Sequence, residues 1–300
     1  MDGQGRGKRG KARRESSGST QRAQPNRPAR SPGRRSLADP PDPRFSRSLE
    51  YGAALLECFT PDRTAAGIVD FAAALGTGRS TAHRYAATLH ELGYLEQDKH
   101  RKYRLGPLAL EPGMAAIATA RGPLPGAVEV LAELRDRSGH TAGMGVLDGG
   151  RAIYVHRLRA HKAGQYEADL GLGVGASLPL HCTALGKALL ASLEEGERSE
   201  LIGGLVLTRR GPHAITSRRR LTADVRAAAE RGLALSDEEL ARDVRSIAVA
   251  LPRGKKQRRP IAIDLTVSAS AYTAEQLVEK LGPLLIDAAV RIGGAADQTL

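Results

Sequence analysis

Three hundred residues, 41% of them apolar, are enough to bury two cores, so the chain is read as two domains. It carries 45 Lys/Arg against 33 Asp/Glu, a formal charge of +12. There is no run of about 18 apolar residues and no apolar segment behind the basic N-terminus, so neither a membrane span nor a secretory signal is expected. Cys58 and Cys182 lie far apart, without Cys/His ligand spacing. That pattern excludes a disulfide framework and a structural zinc, and points to a reduced, cytoplasmic chain without a metal or cofactor.

The charge is uneven. Residues 1–44 hold twelve basic against four acidic side chains and supply most of the excess. This tail is Gly, Arg, Ser and Pro with almost no large apolar residue, and is expected to be disordered. It can add sequence-independent attraction to phosphates or be an extension with no role.

Residues 48–59 are expected to form a first helix, with Ser48 as N-cap and Leu49, Ala53, Leu56 and Phe59 inward. After the loop Pro61-Asp62-Arg63, Ile68, Phe71, Ala72 and Leu75 fall on one helical stripe. Gly76 and Gly78 bracket Thr77 in a tight turn that calls for positive φ. A second periodic stretch spans 79–92, with Ala82, Tyr85, Ala86, Leu89 and Leu92 inward. Its other face carries Ser80, Thr81, His83, Arg84 and Ala87. This is the helix-turn-helix pattern, whose second helix offers its N-terminal side chains to base edges. Residues 94–97 and 102–105 read as two strands around Asp98-Lys99-His100-Arg101, a wing whose Lys99, Arg101, Lys102 and Arg104 suit phosphate contacts. The competing reading is a winged-helix protein-interaction module.

A helix-like linker at 108–120, interrupted by Pro112-Gly113, ends at Arg121-Gly122-Pro123. The domains are therefore drawn as tail 1–44, winged helix-turn-helix 45–106, linker 107–123, α/β effector domain 124–294 and C-terminal tail 295–300. In the α/β part, a helix is expected at 124–137, and strands at 141–147 and 151–158 flank the turn signal Asp148-Gly149-Gly150. A further strand at 165–170, a glycine-rich loop at 171–178 and a helix at 182–193 follow. Next come a helix at 221–231, a strand at 233–236 and core strands at 246–251 and 260–267 around a basic turn at 253–259. The last helix opens on the capping box Thr273-Ala274-Glu275-Gln276 and is expected to kink at Pro283. Strands mixed with helices suggest an antiparallel sheet covered by helices on its faces.

Several enzyme-like signals fail their context tests. Gly171-Leu172-Gly173-Val174-Gly175-Ala176 runs into Ser-Leu-Pro, not into a helix. Gly186-Lys187 lacks the other residues of a phosphate-binding loop. His181 and Cys182 are sequence neighbours, and His156 and His161 lack a third ligand, so no catalytic or metal residue is assigned. What survives is a ligand pocket. A helix N-terminus around Thr183, beside a glycine-rich loop, suits a carboxylate, with Leu178 and Leu185 as apolar walls. Ser246, Thr266 and Ser268 place hydroxyls on the core strands, where backbone bonding is as good an explanation as ligand contact.

Four blocks carry a resemblance: GRSTAHRYAATLHELGYLEQ with YRLG, LPLHCTALGKALLA, LALSDEELARDVRSIAVAL and AIDLTVSA. In this order they resemble the IclR family of bacterial transcriptional regulators over residues 45 to 294. The resemblance implies a winged helix-turn-helix, a dimerising linker helix and a GAF-like effector domain. It also implies dimers or tetramers on a palindromic double-stranded operator, controlled by a small organic or aromatic acid, with the wording closest to regulators of aromatic-acid catabolism. By position it assigns base reading to Arg79, Ser80, Thr81, His83 and Arg84. Effector contact falls to Leu170, Leu178, Ala184, Leu185, Ser236 or Asp237, Val244, Ser246, Thr266 and Ser268. The chain departs from the pattern at Asp243, where the family often has Gly, at Leu251-Pro252 and in its richer basic turn.

Overall fold

The structure is a computed structural model that describes residues 44–60, 63–119, 124, 126–161, 170, 172–252 and 259–298. The tail at 1–43, most of the expected strand at 165–170 and most of the basic turn lie outside the described residues.

The N-terminal part packs α1 (Arg47–Leu56), α2 (Ile68–Leu75) and α3 (Arg79–Glu91) around Leu55, Phe71, Leu75, Ala82 and Ala86, all buried. In α1 the buried side is the expected one only in part: Leu56 and Phe59 pack on the core, but Leu49 and Ala53 do not. Ser46 caps the helix, accepting from the Leu49 amide at 3.4 Å, while Leu49 is 76% exposed and Ala53 also faces water. Tyr51, Ala54, Leu55 and Cys58 join Leu56 and Phe59 on the inward side, with the Tyr51 ring edge-on to Tyr85 at 5.3 Å and the Phe59 ring edge-on to Phe71 at 6.0 Å. Leu92 is likewise 55% exposed, since α3 ends one residue before it. Gly76 does adopt left-handed backbone, φ 64°, whereas Gly78 is extended and caps α3.

β1 (Leu95–Gln97) and β2 (Tyr103–Leu105) form the antiparallel wing, and Ala66 bridges to Tyr103 beside it. A single 3-10 turn (Pro107–Ala109) leads into α4 (Leu110–Thr119), which runs through Pro112-Gly113 without the expected break. Pro112 sits in the first turn, where an N–H would have no partner within the helix.

Among the described residues, the C-terminal part holds a six-stranded antiparallel sheet. Its strands are β3 (Thr141–Asp148), β4 (Arg151–Leu158), β5 (Ser177–Pro179), β6 (Ala234–Asp237), β7 (Val244–Ala250) and β8 (Ile261–Ser268), in the order β5-β4-β3-β8-β7-β6. One face packs on α5 (Ala127–Ser138) and α9 (Ala274–Gln298). The other packs on α6 (Ala184–Ala191) and α8 (Arg218–Arg231). Helix α7 (Glu195–Gly204), before α8, was not anticipated. α9 begins with the capping box, Thr273 and Gln276 exchanging bonds of 3.0 and 3.2 Å, and continues as one helix through Pro283.

β8 is buried along its whole length, and its alternation explains the layering. Ile261, Ile263, Leu265 and Val267 point into the α5/α9 core, each burial worth roughly 1.5–3 kcal/mol. Ala262, Asp264, Thr266 and Ser268 face the opposite way, so a buried strip there is polar.

Candidate functional site

Two sites emerge, one in each part of the chain. In the N-terminal part, Ala82 and Ala86 are fully buried and let α3 approach its companions, while Tyr85 donates to Ser48 Oγ at 3.2 Å. That packing leaves Arg79, Ser80, His83 and Arg84 exposed and Thr81 half-buried along the opposite side. Arg84 lies over its neighbour Tyr85, 5.5 Å from the ring centre, with its charge in water. Beside it Lys99, Arg101 and Lys102 are exposed on the wing. The wing tip is held by Asp98, whose Oδ1 accepts from the His100 and Lys102 amides at 2.9 Å each. Those bonds, the Lys102 amide foremost, hold the Asp98 carboxyl below its ordinary range. Arg101, at φ 59°, completes the turn between the exposed Lys99 and Lys102.

In the C-terminal part a narrow cleft opens between the polar strip of the sheet and the start of α6. Leu170, Leu178, Thr183, Leu185, Val244, Ser246 and Thr266 line it, as the sequence led one to expect. Four expected residues do not. Ala184 is packed into the α6 core, and Ser236 donates to the Cys182 carbonyl at 3.2 Å. Asp237 pairs with Arg245 at 2.5 Å. Ser268 donates to Asp243 at 2.9 Å, and neither residue is among those that line the cleft. Asp243 has φ 61°, left-handed backbone that glycine adopts freely and that a short polar residue tolerates. The helix N-terminus is also less open than expected. Thr183 caps α6, accepting from the Gly186 amide at 3.0 Å and donating to the Pro179 carbonyl at 2.7 Å.

The cleft's remaining walls are Leu172, Leu240, Tyr154, Arg157 and Asp264, which the sequence reading missed. Tyr154 and Arg157 are three residues apart, and a regular strand would send them to opposite faces. A bulge resolves this. Gly145 pairs with Tyr154 and Met144 with His156, leaving Val155 unpaired, so Arg157 returns to the Tyr154 side. Arg157, Gly143 and Asp264 then stand in one row across β4, β3 and β8, with Ser246 and Thr266 in the adjacent row. Gly143 is required in that row: a Cβ there would come within 2.2 Å of Asp264 Oδ1 and 2.5 Å of the Tyr154 ring.

The Arg157 guanidinium lies 4.7 Å from the Tyr154 ring centre. Tyr154 donates its hydroxyl to Asp264 Oδ2 at 2.7 Å, and Thr266 donates to the same oxygen at 3.3 Å. Burial pushes the Asp264 carboxyl above its usual range, opposed by Arg157 and these two hydroxyls. Burial, and then the charge on Asp264, hold the Tyr154 phenol well above its own. Among the described residues, Arg157 Nη1 and Asp264 Oδ1 have no hydrogen-bond partner.

The enzyme-like residues have other duties. His181 Nε2 donates to the Thr208 carbonyl at 2.9 Å, and burial lowers its pKa. Cys182 is fully buried, its thiol pushed up to about 12. Lys187, 1% exposed, is held by Asp224 and Glu239 at 2.7 Å each.

An exposed cationic helix with a basic wing, carried on the same chain as a sheet-based ligand cleft, defines a ligand-responsive DNA-binding regulator. Residues 125–293 match the family model described as the C-terminal domain of the bacterial transcriptional regulator IclR, and residues 48–99 match the IclR helix-turn-helix domain. The chain belongs to the IclR family and is a transcriptional regulator with a helix-turn-helix DNA-binding domain and an effector-binding domain. It is 32% identical to the HTH-type transcriptional regulator XynR of Escherichia coli K12, over 68% of this chain and 79% of that one. It is 31% identical to the Pca operon regulatory protein of Acinetobacter baylyi, over 82% and 87%. Among solved structures it resembles an IclR homologue from Microbacterium hydrocarbonoxydans complexed with 4-hydroxybenzoate, with 25% identity, TM-score 0.67 and coverage of 84% and 99%. No described helix is long and apolar enough to cross a membrane.

Proposed function

We propose that this regulator binds an operator as a dimer or tetramer in the cytoplasm, and that a small organic acid in the C-terminal cleft controls the binding. The observation that carries the DNA half is the exposed row Arg79, Ser80, His83 and Arg84, flanked by Lys99, Arg101 and Lys102. Those side chains, with Thr81 at the edge, enter the major groove while the wing cations take phosphates. Paired copies then read half-sites roughly 34–36 Å apart. The acid half rests on the unpartnered buried guanidinium nitrogen of Arg157, on the cleft's hydroxyls and on the ligand in the Microbacterium homologue. The similarity to a Pca operon regulator favours an aromatic or keto acid. An acid shifts operator binding only by its differential affinity for two arrangements of the DNA-binding domains.

The chain acts as a non-enzymatic regulator, its boundaries drawn at 45–106, 107–123 and 124–294. An electrophoretic shift assay on DNA upstream of its own gene and of adjacent operons, with and without a panel of acids, tests this. Specific, salt-sensitive binding altered by one acid class is expected. Absence of binding to every such fragment would return the winged-helix part to a protein-interaction role. Turnover abolished by substituting His181 or Cys182 would favour an enzyme.

A further inference from the structure

Resting on the reading of the cleft as an acid site, we infer that Asp264 is a specificity-determining residue: the effector is a hydroxy-substituted carboxylic acid, its carboxylate on Arg157 and its hydroxyl on Asp264. The geometry is particular to this chain's own residues. Asp264 is 2% exposed and lines the cleft. Its Oδ2 is saturated by Tyr154 and Thr266, while Oδ1 has no donor. Two strands across the sheet, Arg157 presents a buried nitrogen with no acceptor among the described residues. One orphan acceptor and one orphan donor therefore stand in the same row, separated by Gly143, which contributes no side chain between them.

Buried polar groups left unmade are costly, so a native cleft holding one of each sign is built to be completed from outside. A plain carboxylic acid satisfies only Arg157. It also brings a second negative group toward Asp264 without a donor to offer it. An acid that carries a hydroxyl as well satisfies both. Burial strengthens the argument: a carboxyl pushed up toward its protonated form can either accept from a hydroxyl or donate to one, so the hydroxyl is served in both protonation states. Sites that hydrogen-bond a ligand hydroxyl discriminate strongly against the analogue that lacks it, because their own polar groups are then stranded.

The test uses the full-length protein and matched acid pairs differing by one hydroxyl: 4-hydroxybenzoate with benzoate, 3-hydroxybenzoate with benzoate, and lactate with propionate. Isothermal titration gives the affinity ratio within each pair. In the wild type at least one hydroxy member should bind roughly 10- to 100-fold tighter than its parent. Asp264→Ala, which removes both carboxyl oxygens, should bring that ratio to within about threefold while acid binding persists. Arg157→Gln should weaken both members of the pair together. Tyr154→Phe, which releases Asp264 Oδ2 but keeps the ring, should lower the ratio part of the way. It serves as the second variant if Asp264→Ala fails to fold. Equal binding of hydroxy and parent acids, still dependent on Arg157, would overturn the role of Asp264, with water as its partner, and leave the acid site standing. Failure of every acid to bind would overturn both.

Discussion

Removing the ammonium of Lys187 should be one of the most damaging single changes in the effector domain. Its Nζ lies 2.7 Å from Glu239 Oε1 and 2.7 Å from Asp224 Oδ2, with side-chain exposures of 1%, 10% and 36% for the three residues. Asp224 can turn to water and contributes little to the cost. Glu239 cannot. Its Oε2 already lacks a partner, and burial pushes its pKa up even with Lys187 beside it. Lys187→Met leaves that carboxylate buried and uncompensated, which costs about 3–5 kcal/mol. Glu239 can reduce the loss by taking a proton. Its folded pKa in the variant then lies above its unfolded value, so the folded state holds the extra proton between the two. Stability of the variant is therefore lowest above that raised pKa and recovers as pH falls through it. Urea unfolding of both proteins at about pH 8 and about pH 5 should show the larger gap at the higher pH. Lys187→Met with Glu239→Leu removes both charges and should recover to within about 1 kcal/mol of the wild type. A single variant that loses under about 1 kcal/mol at the higher pH, or a double variant as unstable as the single, would refute the reasoning. Because Glu239 precedes the cleft residue Leu240, the single variant should also loosen ligand binding.

Two further outcomes are expected. Arg84→Ala should weaken specific operator binding by about 1–3 kcal/mol in an anisotropy titration, with the thermal midpoint unchanged; unaltered affinity removes Arg84 from the interface. Gly143→Ala should destabilise by about 1–3 kcal/mol through overpacking, since its Cβ meets Asp264 Oδ1 and Tyr154. A chemical-denaturation midpoint equal to that of the wild type would mean the row has slack that the geometry does not show.

The helix-turn-helix was legible because its stripes are long and punctuated: Ile68, Phe71, Ala72 and Leu75 fall on one face, and Gly76 ends the helix where left-handed backbone is needed. α1 was harder, since Leu49 and Leu55 are equally apolar and the side that is buried depends on contacts with other helices, such as Tyr51 on Tyr85 and Phe59 on Phe71. α7 was missed because Leu201 and Ile202 are its only large apolar residues, too few to mark a period. In the cleft, Thr266 and Ser246 were found as hydroxyls on buried strands. Asp264 stands in the same alternation as Thr266 and could have been found by following that period one step further. Tyr154 and Arg157 could not, because strand alternation separates them and the extra residue that reunites them leaves no mark in composition.

That extra residue has an evolutionary implication. Val155 takes no rung of the ladder, so a chain without it would still set His156 against Met144 and Arg157 against Gly143. Tyr154 and Arg157 would then stand two residues apart on the same face. A related protein could lose that codon and keep the charge of this cavity, so kinship at the site is to be sought in rung positions and not in spacing along the chain.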